Sequence, residues 1–175
     1  MDFTQFIRTI PDYPKPGIMF RDITTLIAHP QGLSAAIDAL CLHFSKANID
    51  VVAGIEARGF IIGGAIAQAL GTGFVPVRKH GKLPWKTHSE EYQLEYGTDR
   101  LEIHQDAIEP AVRVLLIDDL IATGGTAIAA ANLITRAGGI VVDAGFLVDL
   151  PDLGGAKKLA AKDIPVHALC AFEGD

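Results

Sequence analysis

Thirteen consecutive residues, Val114 to Thr126 (VLLIDDLIATGGT), constrain this chain more than any other stretch. The apolar run Val114-Leu115-Leu116-Ile117 is long enough for a strand buried on both faces, which is the habit of parallel sheets. Two carboxylates, Asp118 and Asp119, follow at its carboxyl end. The turn Ala122-Thr123-Gly124-Gly125-Thr126 then opens into an alanine-rich helix. A strand-to-helix turn presents backbone N–H groups to an anion, and the helix dipole adds attraction. Adjacent glycines admit a phosphate close to the backbone, the Thr hydroxyls add donors, and carboxylates accept from sugar hydroxyls. A phosphate beside a ribose suits such a segment.

The rest of the chain repeats the strand–helix alternation. A helical stripe runs from Gln31 to Ala47, strand Val51–Ile55 precedes a nearly all-apolar helix from Phe60 to Leu70, and Gly73–Val77 is the next strand. That apolar helix should be covered by other elements. His80 to Ser89 has neither period and reads as a mobile loop, followed by a hairpin-like pair around Tyr92–Tyr96 and Arg100–Ile103. Val114–Asp118 is the motif strand and Gly125–Ala137 its helix. Ile140–Val148 and Val166–Cys170 read as strands around a short helix, Gly155–Ala161. Asp2 to Ile10 reads as a short amphipathic helix ended by Pro11. The class is α/β, a mostly parallel sheet covered on both faces, with ligands expected at the carboxyl ends of the strands.

Composition narrows the partners. With 175 residues and 49% hydrophobic content, one α/β domain with a sizeable core is expected. No apolar run approaches the roughly 18 residues of a membrane span. The N-terminus lacks the basic-then-apolar order of a signal peptide. A net charge of −6 argues against nucleic acid as the main partner, so an anionic substrate must be held by local cations. Two cysteines, Cys41 and Cys170, lack metal or redox spacing and read as core thiols of a cytosolic protein. The six histidines show no metal-ligand spacing.

Three further segments carry chemistry. Gly54-Ile55-Glu56-Ala57-Arg58-Gly59-Phe60 places an Arg at a helix start, where it either grips an anion or pairs with Glu56. Val77 to Pro84 gathers Arg78, Lys79, His80 and Lys82 at a strand end, either a solvated face or a site for a polyanion. Glu95, in Tyr92-Gln93-Leu94-Glu95-Tyr96-Gly97, follows the expected mobile loop. A carboxylate about 4 Å from a unit positive charge gains roughly 4 kcal/mol at an effective dielectric near 20. Glu95 could therefore stabilise a cationic centre, or it could manage a proton.

The ordered string D-D-x-x-x-T-G-G-T resembles the phosphoribosyl-diphosphate (PRPP) motif of type I phosphoribosyltransferases. Residues 56–60 resemble the pyrophosphate loop of the purine branch. Arg78 to Pro84, the L-E-Y-G at 94–97 and Pro16-Gly17-Ile18-Met19-Phe20-Arg21-Asp22-Ile23 are similar to segments of the adenine phosphoribosyltransferases. The resemblance runs from Pro14 to Gly145, and the last thirty residues add little to it. It implies a type I phosphoribosyltransferase fold in a single domain over 1–175, with a small N-terminal hood (1–30) and a flexible lid and hairpin (78–105). It implies adenine, PRPP, AMP and pyrophosphate as ligands, Mg²⁺ carried by PRPP rather than by a protein metal site, a homodimer and cytoplasmic purine salvage.

The resemblance also assigns roles. Asp118 and Asp119 would hold the ribose, Ala122, Thr123, Gly124, Gly125 and Thr126 the 5′-phosphate, and Arg58, Arg78, Lys79 and Lys82 the pyrophosphate. Glu95 would serve the reacting carbon or the base. Phe20 would stack on adenine between Met19 and Arg21, with Leu120 as the opposite wall. Trp85 to Glu90 (WKTHSE) departs from the family pattern, which leaves lid contacts beyond Glu95 open. Transfer to another purine base, or a non-catalytic PRPP-sensing regulator, are the rival readings.

Overall fold

A computed structural model describes residues 1–93 and 97–174. Within them the main sheet runs through β3 (Val51–Ile55), β4 (Gly73–Lys79), β5 (Thr87–Gln93), β6 (Thr98–His104), β7 (Arg113–Ile117), β9 (Ile140–Asp149) and β10 (Val166–Ala171), in the order β10-β9-β7-β3-β4-β6-β5. The two-residue strand β8 (Leu120–Ile121) also pairs with β9. Neighbours from β10 to β4 are parallel, whereas β6 joins β4 antiparallel and β5 joins β6 antiparallel.

Side chains alternate across the central strands as a pleated sheet requires. Val114 and Leu116 face one apolar cluster with Ala127, Ala130 and Leu133 of α4 (Gly125–Arg136) and Leu159 of α5 (Gly155–Ala160). Leu115 and Ile117 face a second cluster with Leu26 of α1 (Thr24–Ala28), Leu40 and Phe44 of α2 (Pro30–Phe44), and Ile62 and Ile66 of α3 (Arg58–Leu70). Coverage on both faces explains the unbroken apolar run in β7. Helix α3 is covered on one stripe only: Ile62 and Ile66 are fully buried while Ile61 is 48% exposed. Among the described residues the cover expected for it is complete on that stripe alone.

Two other expectations fail. Asp2 to Ile10 is not a helix. Asp2 caps a single 3-10 turn, Phe3–Phe6, and the chain then extends as β1 (Arg8–Ile10), antiparallel to β2 (Phe20–Asp22). So short a helix is marginal in water, and pairing with β2 supplies what it would lack. Arg8 also donates to Asp22 Oδ2 from Nε (3.1 Å) and Nη2 (2.6 Å). Thr87 to Ser89, read as loop, is strand: Thr87 lies opposite His104 and Ser89 opposite Glu102. Its polar residues suit the outer edge of the sheet, where Arg136 of α4 donates to the Ser89 carbonyl at 2.7 Å and pairs with Glu90. Among the described residues no helix is long and apolar enough to cross a membrane.

Candidate active site

The carboxyl ends of β3 and β7 open into a cleft of about 480 Å³. Its floor is the segment singled out by sequence: Asp118, Asp119, Leu120 and Ala122 to Thr126 all line it. Helix α4 starts at Gly125 with no side-chain cap. The first N–H groups of a helix have no partner within it, so this end presents donors and a positive dipole to the cleft. Gly124 has φ +82°, and a Cβ there would stand 2.9 Å from the Gly155 Cα. From behind, Gly155 N donates to the Ala122 carbonyl at 2.9 Å and Lys158 Nζ to the Thr123 carbonyl at 2.8 Å. Two carbonyls of the loop are thus turned toward α5.

The two carboxylates are buried, Asp118 9% and Asp119 5% exposed. Asp119 N donates to Asp118 Oδ1 at 2.8 Å. Burial, reinforced by the charge of Asp119, pushes the Asp118 carboxyl well above the usual carboxylate range. Arg58, at the start of α3, donates from Nε to Asp119 Oδ2 at 2.6 Å. Burial works against the guanidinium charge, but the adjacent Asp119 outweighs it and holds Arg58 above its ordinary value.

Arg58 therefore does not pair with Glu56. Glu56 instead accepts from Arg78 Nε (3.1 Å) and from Lys79 N (3.0 Å), and its other oxygen lies 3.3 Å from Lys82 Nζ. These contacts outweigh burial and keep the Glu56 carboxyl below the usual range. Lys79 Nζ meets Asp99 Oδ2 at 3.0 Å, and the same oxygen accepts from the Tyr92 hydroxyl at 3.3 Å. The Asp99 bond raises the Lys79 amine above its usual value. Each of the four cations expected to meet pyrophosphate is thus held by a carboxylate of the site.

Arg58 and Lys79 line the cleft together with Glu56, Tyr92 and Asp99, whereas Arg78 and Lys82 do not line it and pair with Glu56. Tyr92 and Asp99 were not singled out by sequence. They face each other across the β5–β6 register, and only that register could have drawn them to the site. Leu120 lines the cleft, but Met19, Phe20 and Arg21 do not. These three lie at and before β2, where Phe20 meets Tyr13 edge-on at 5.1 Å between ring centroids. Asp22, next in the chain, is close enough for its charge to act on Arg58. Glu95 lies outside the described residues. The carboxylates lining the cleft offer hard oxygen donors of the kind Mg²⁺ prefers. Among the described residues no three His, Cys, Asp or Glu side chains gather as a metal-holding group.

Comparison with known proteins gives the family. Residues 22–165 match the model of the phosphoribosyl transferase domain. The adenine phosphoribosyltransferase of Parvibaculum lavamentivorans is 64% identical over 174 residues, 99% of each chain. The crystal structure of the Rhodothermus marinus adenine phosphoribosyltransferase superposes with a TM-score of 0.91 at 55% identity, covering 97% of this chain and 96% of that one. The Saccharomyces cerevisiae enzyme, solved with adenine and an imino-altritol bisphosphate, gives 0.89 at 38% identity over 95% of this chain and 98% of its own. The matched domain, full-length identity and a shared fold lead to one assignment: this chain belongs to the phosphoribosyltransferase family, among the adenine phosphoribosyltransferases.

Proposed function

We propose that this chain transfers the 5-phosphoribosyl group of PRPP to adenine, giving AMP and pyrophosphate in purine salvage. The observation that carries the reading is the single cleft that joins the Ala122–Thr126 loop, the buried Asp118–Asp119 pair and Arg58. In this scheme the loop N–H groups take the 5′-phosphate, and Asp118 and Asp119 accept from the ribose hydroxyls. Arg58, Arg78, Lys79 and Lys82 exchange their present carboxylates for the diphosphate. That exchange has a consequence within the site: when Arg58 turns to the diphosphate, Asp119 becomes available to the ribose.

A ring nitrogen of adenine bonds to C1′ as the C1′–O bond to the diphosphate breaks, leaving pyrophosphate and passing through a cationic sugar. Glu95 would serve that carbon or take the proton from the base. Mg²⁺ carried by PRPP would supply positive charge to the diphosphate beside Arg58, Arg78, Lys79 and Lys82. The hood over residues 1–30 supplies the base site. Phe20 stacks on adenine, the backbone at Met19 and Arg21 reads its edge, and Leu120 closes the other side. Residues 78–105 act as a lid. The half-exposed Ile61 on the apolar helix α3 supports a homodimer that covers this face. The two free cysteines suit a cytoplasmic setting.

Incubation with PRPP, Mg²⁺ and each of adenine, hypoxanthine, guanine and xanthine tests the reading. Adenine is expected to exceed the others by at least about 100-fold, because buried groups that read an exocyclic amine are left unpaired by an oxygen. Turnover of a 6-oxopurine in preference to adenine would replace the substrate, and no nucleotide from any base would leave a PRPP-binding regulator.

A further inference from the structure

The segment after β10 returns to the hood. Phe172 N donates to the Asp149 carbonyl at 3.1 Å, and Gly174 N donates to Asp152 Oδ2 at 2.7 Å, so the segment is pinned on both sides of Glu173. Its place in the sheet is defined by register. Ile121 lies opposite Asp149, and Asp149 lies opposite Ala171, so Phe172 emerges at the carboxyl edge one strand beyond the β8–β9 pair. Leu120 and Phe172 border the same apolar cluster.

There the Phe172 ring meets Arg21. The guanidinium carbon stands 4.3 Å from the ring centroid. Arg21 Nη1 also donates to Thr9 Oγ1 at 2.7 Å, and Thr9 is the residue opposite Arg21 in the β1–β2 register. The guanidinium is thus sandwiched between the neighbouring hood strand and an aromatic face contributed some 150 residues later in the chain. A planar guanidinium over a ring combines cation–π attraction with stacking. A long, otherwise rotamer-rich side chain is held in place, and with it the β2 backbone from which it springs.

We propose that Phe172 is a positioning residue for purine recognition: by fixing Arg21 it sets the β2 backbone at Phe20–Arg21 against which the base edge is read. This rests on the proposed adenine site. Phe172 touches no reacting atom, so its effect belongs to adenine and not to PRPP or to turnover.

The test is steady-state kinetics of Phe172→Leu and Phe172→Tyr beside the wild type, with adenine and PRPP varied in turn. Leucine keeps apolar cover over the cluster but loses the ring face, whereas tyrosine keeps both. The Leu variant is expected to raise KM for adenine about three- to tenfold, the size of a partly desolvated cation–π contact. Its kcat and KM for PRPP stay within about twofold, and the Tyr variant returns to wild-type values. An unchanged KM for adenine in the Leu variant, a parallel rise for both substrates, or failure of Tyr to restore it would each overturn the proposal. Should the Leu variant not fold, Thr9→Val decides, since it removes the partner on the other side of the guanidinium. The same selective rise supports the proposal and an unchanged KM refutes it. Wild-type protein that does not turn over adenine would remove the proposed function itself and this inference with it.

Discussion

The cleft floor and the N-terminal strand pair are built on opposite plans. At the cleft floor, the proposed phosphate end, one unbroken segment supplies strand, carboxylates, loop and helix start, and it presents backbone N–H groups and two buried acids. At the proposed hood, three segments meet: β1, β2 and the stretch after β10, tied by the Arg8–Asp22 pair, the Arg21–Thr9 bond and the Arg21–Phe172 contact. Backbone donors at a helix start are fixed as soon as the helix forms, so the phosphate end is rigid by construction. Side-chain ties across segments depend on tertiary assembly and can be weakened one at a time. Substitutions at the phosphate end should therefore act on PRPP strongly and together, while those at the hood should act in smaller, separable steps on adenine.

The sharpest break comes from Gly155. A Cβ there would stand 2.7 Å from Gly124 N and closer still to the Ala122 carbonyl, both backbone atoms of the phosphate loop. Gly155→Ala must shift that loop at an overpacking cost of about 1–3 kcal/mol. PRPP affinity is expected to fall about 10- to 100-fold by calorimetry, with KM for adenine little altered. Unchanged PRPP affinity would show that α5 does not buttress the loop.

At the hood, Asp22→Asn removes the charge that Arg8 grips from Nε and Nη2. A charge-assisted bond at a surface-adjacent site suggests a loss near 1 kcal/mol, which lowers Tm by about 2–4 °C in a chain of this size. Adenine KM should rise more than KM for PRPP, which feels Asp22 only through its charge on Arg58. Equal effects on both substrates would dissolve the distinction between the two ends.

The smallest effect is in pH. Bonds from the Thr24 hydroxyl and from Arg8 lower the Asp22 carboxyl from 3.8 to about 2. A carboxyl depressed in the folded protein contributes stability that is complete above its unfolded value and is lost as pH falls through the folded one. The Tm gap between wild type and Asp22→Asn should thus be constant above about pH 5 and narrow from pH 3.8 toward 2. A gap that persists at pH 2 would assign the stabilisation to shape rather than charge.

The same contrast accounts for what was legible in the sequence. The gathering of Asp118, Asp119 and Ala122–Thr126 in one cleft was legible because they form one ordered run from strand end to helix start. The α/β alternation was legible because both faces of the sheet are covered and the apolar runs are continuous. The segment Asp2–Ile10 misread as helix because its strand exists only through pairing with β2. Sequence left Arg58 between an anion and Glu56, and its partner here is Asp119, because the start of α3 packs against the end of β7, with Gly59 beside Ile117 and Asp118. Asp99 carries no local signal, since its place beside Lys79 and Tyr92 comes from hairpin register. Phe172 lies in the final stretch that resembled nothing specific, yet it reaches the hood through the fold.

The central claim is that the buried acidic pair and the loop beyond it bind an activated sugar phosphate. Calorimetric titration of PRPP with Mg²⁺ into the wild type and into Asp118→Asn/Asp119→Asn measures it directly. The isosteric double change keeps the shape and removes both carboxylates. PRPP should bind the wild type without adenine present and bind the double variant at least about 30-fold more weakly, as expected when charge-assisted bonds to two hydroxyls are lost. Equal affinity in the two proteins, or no heat of binding in the wild type, would contradict the account.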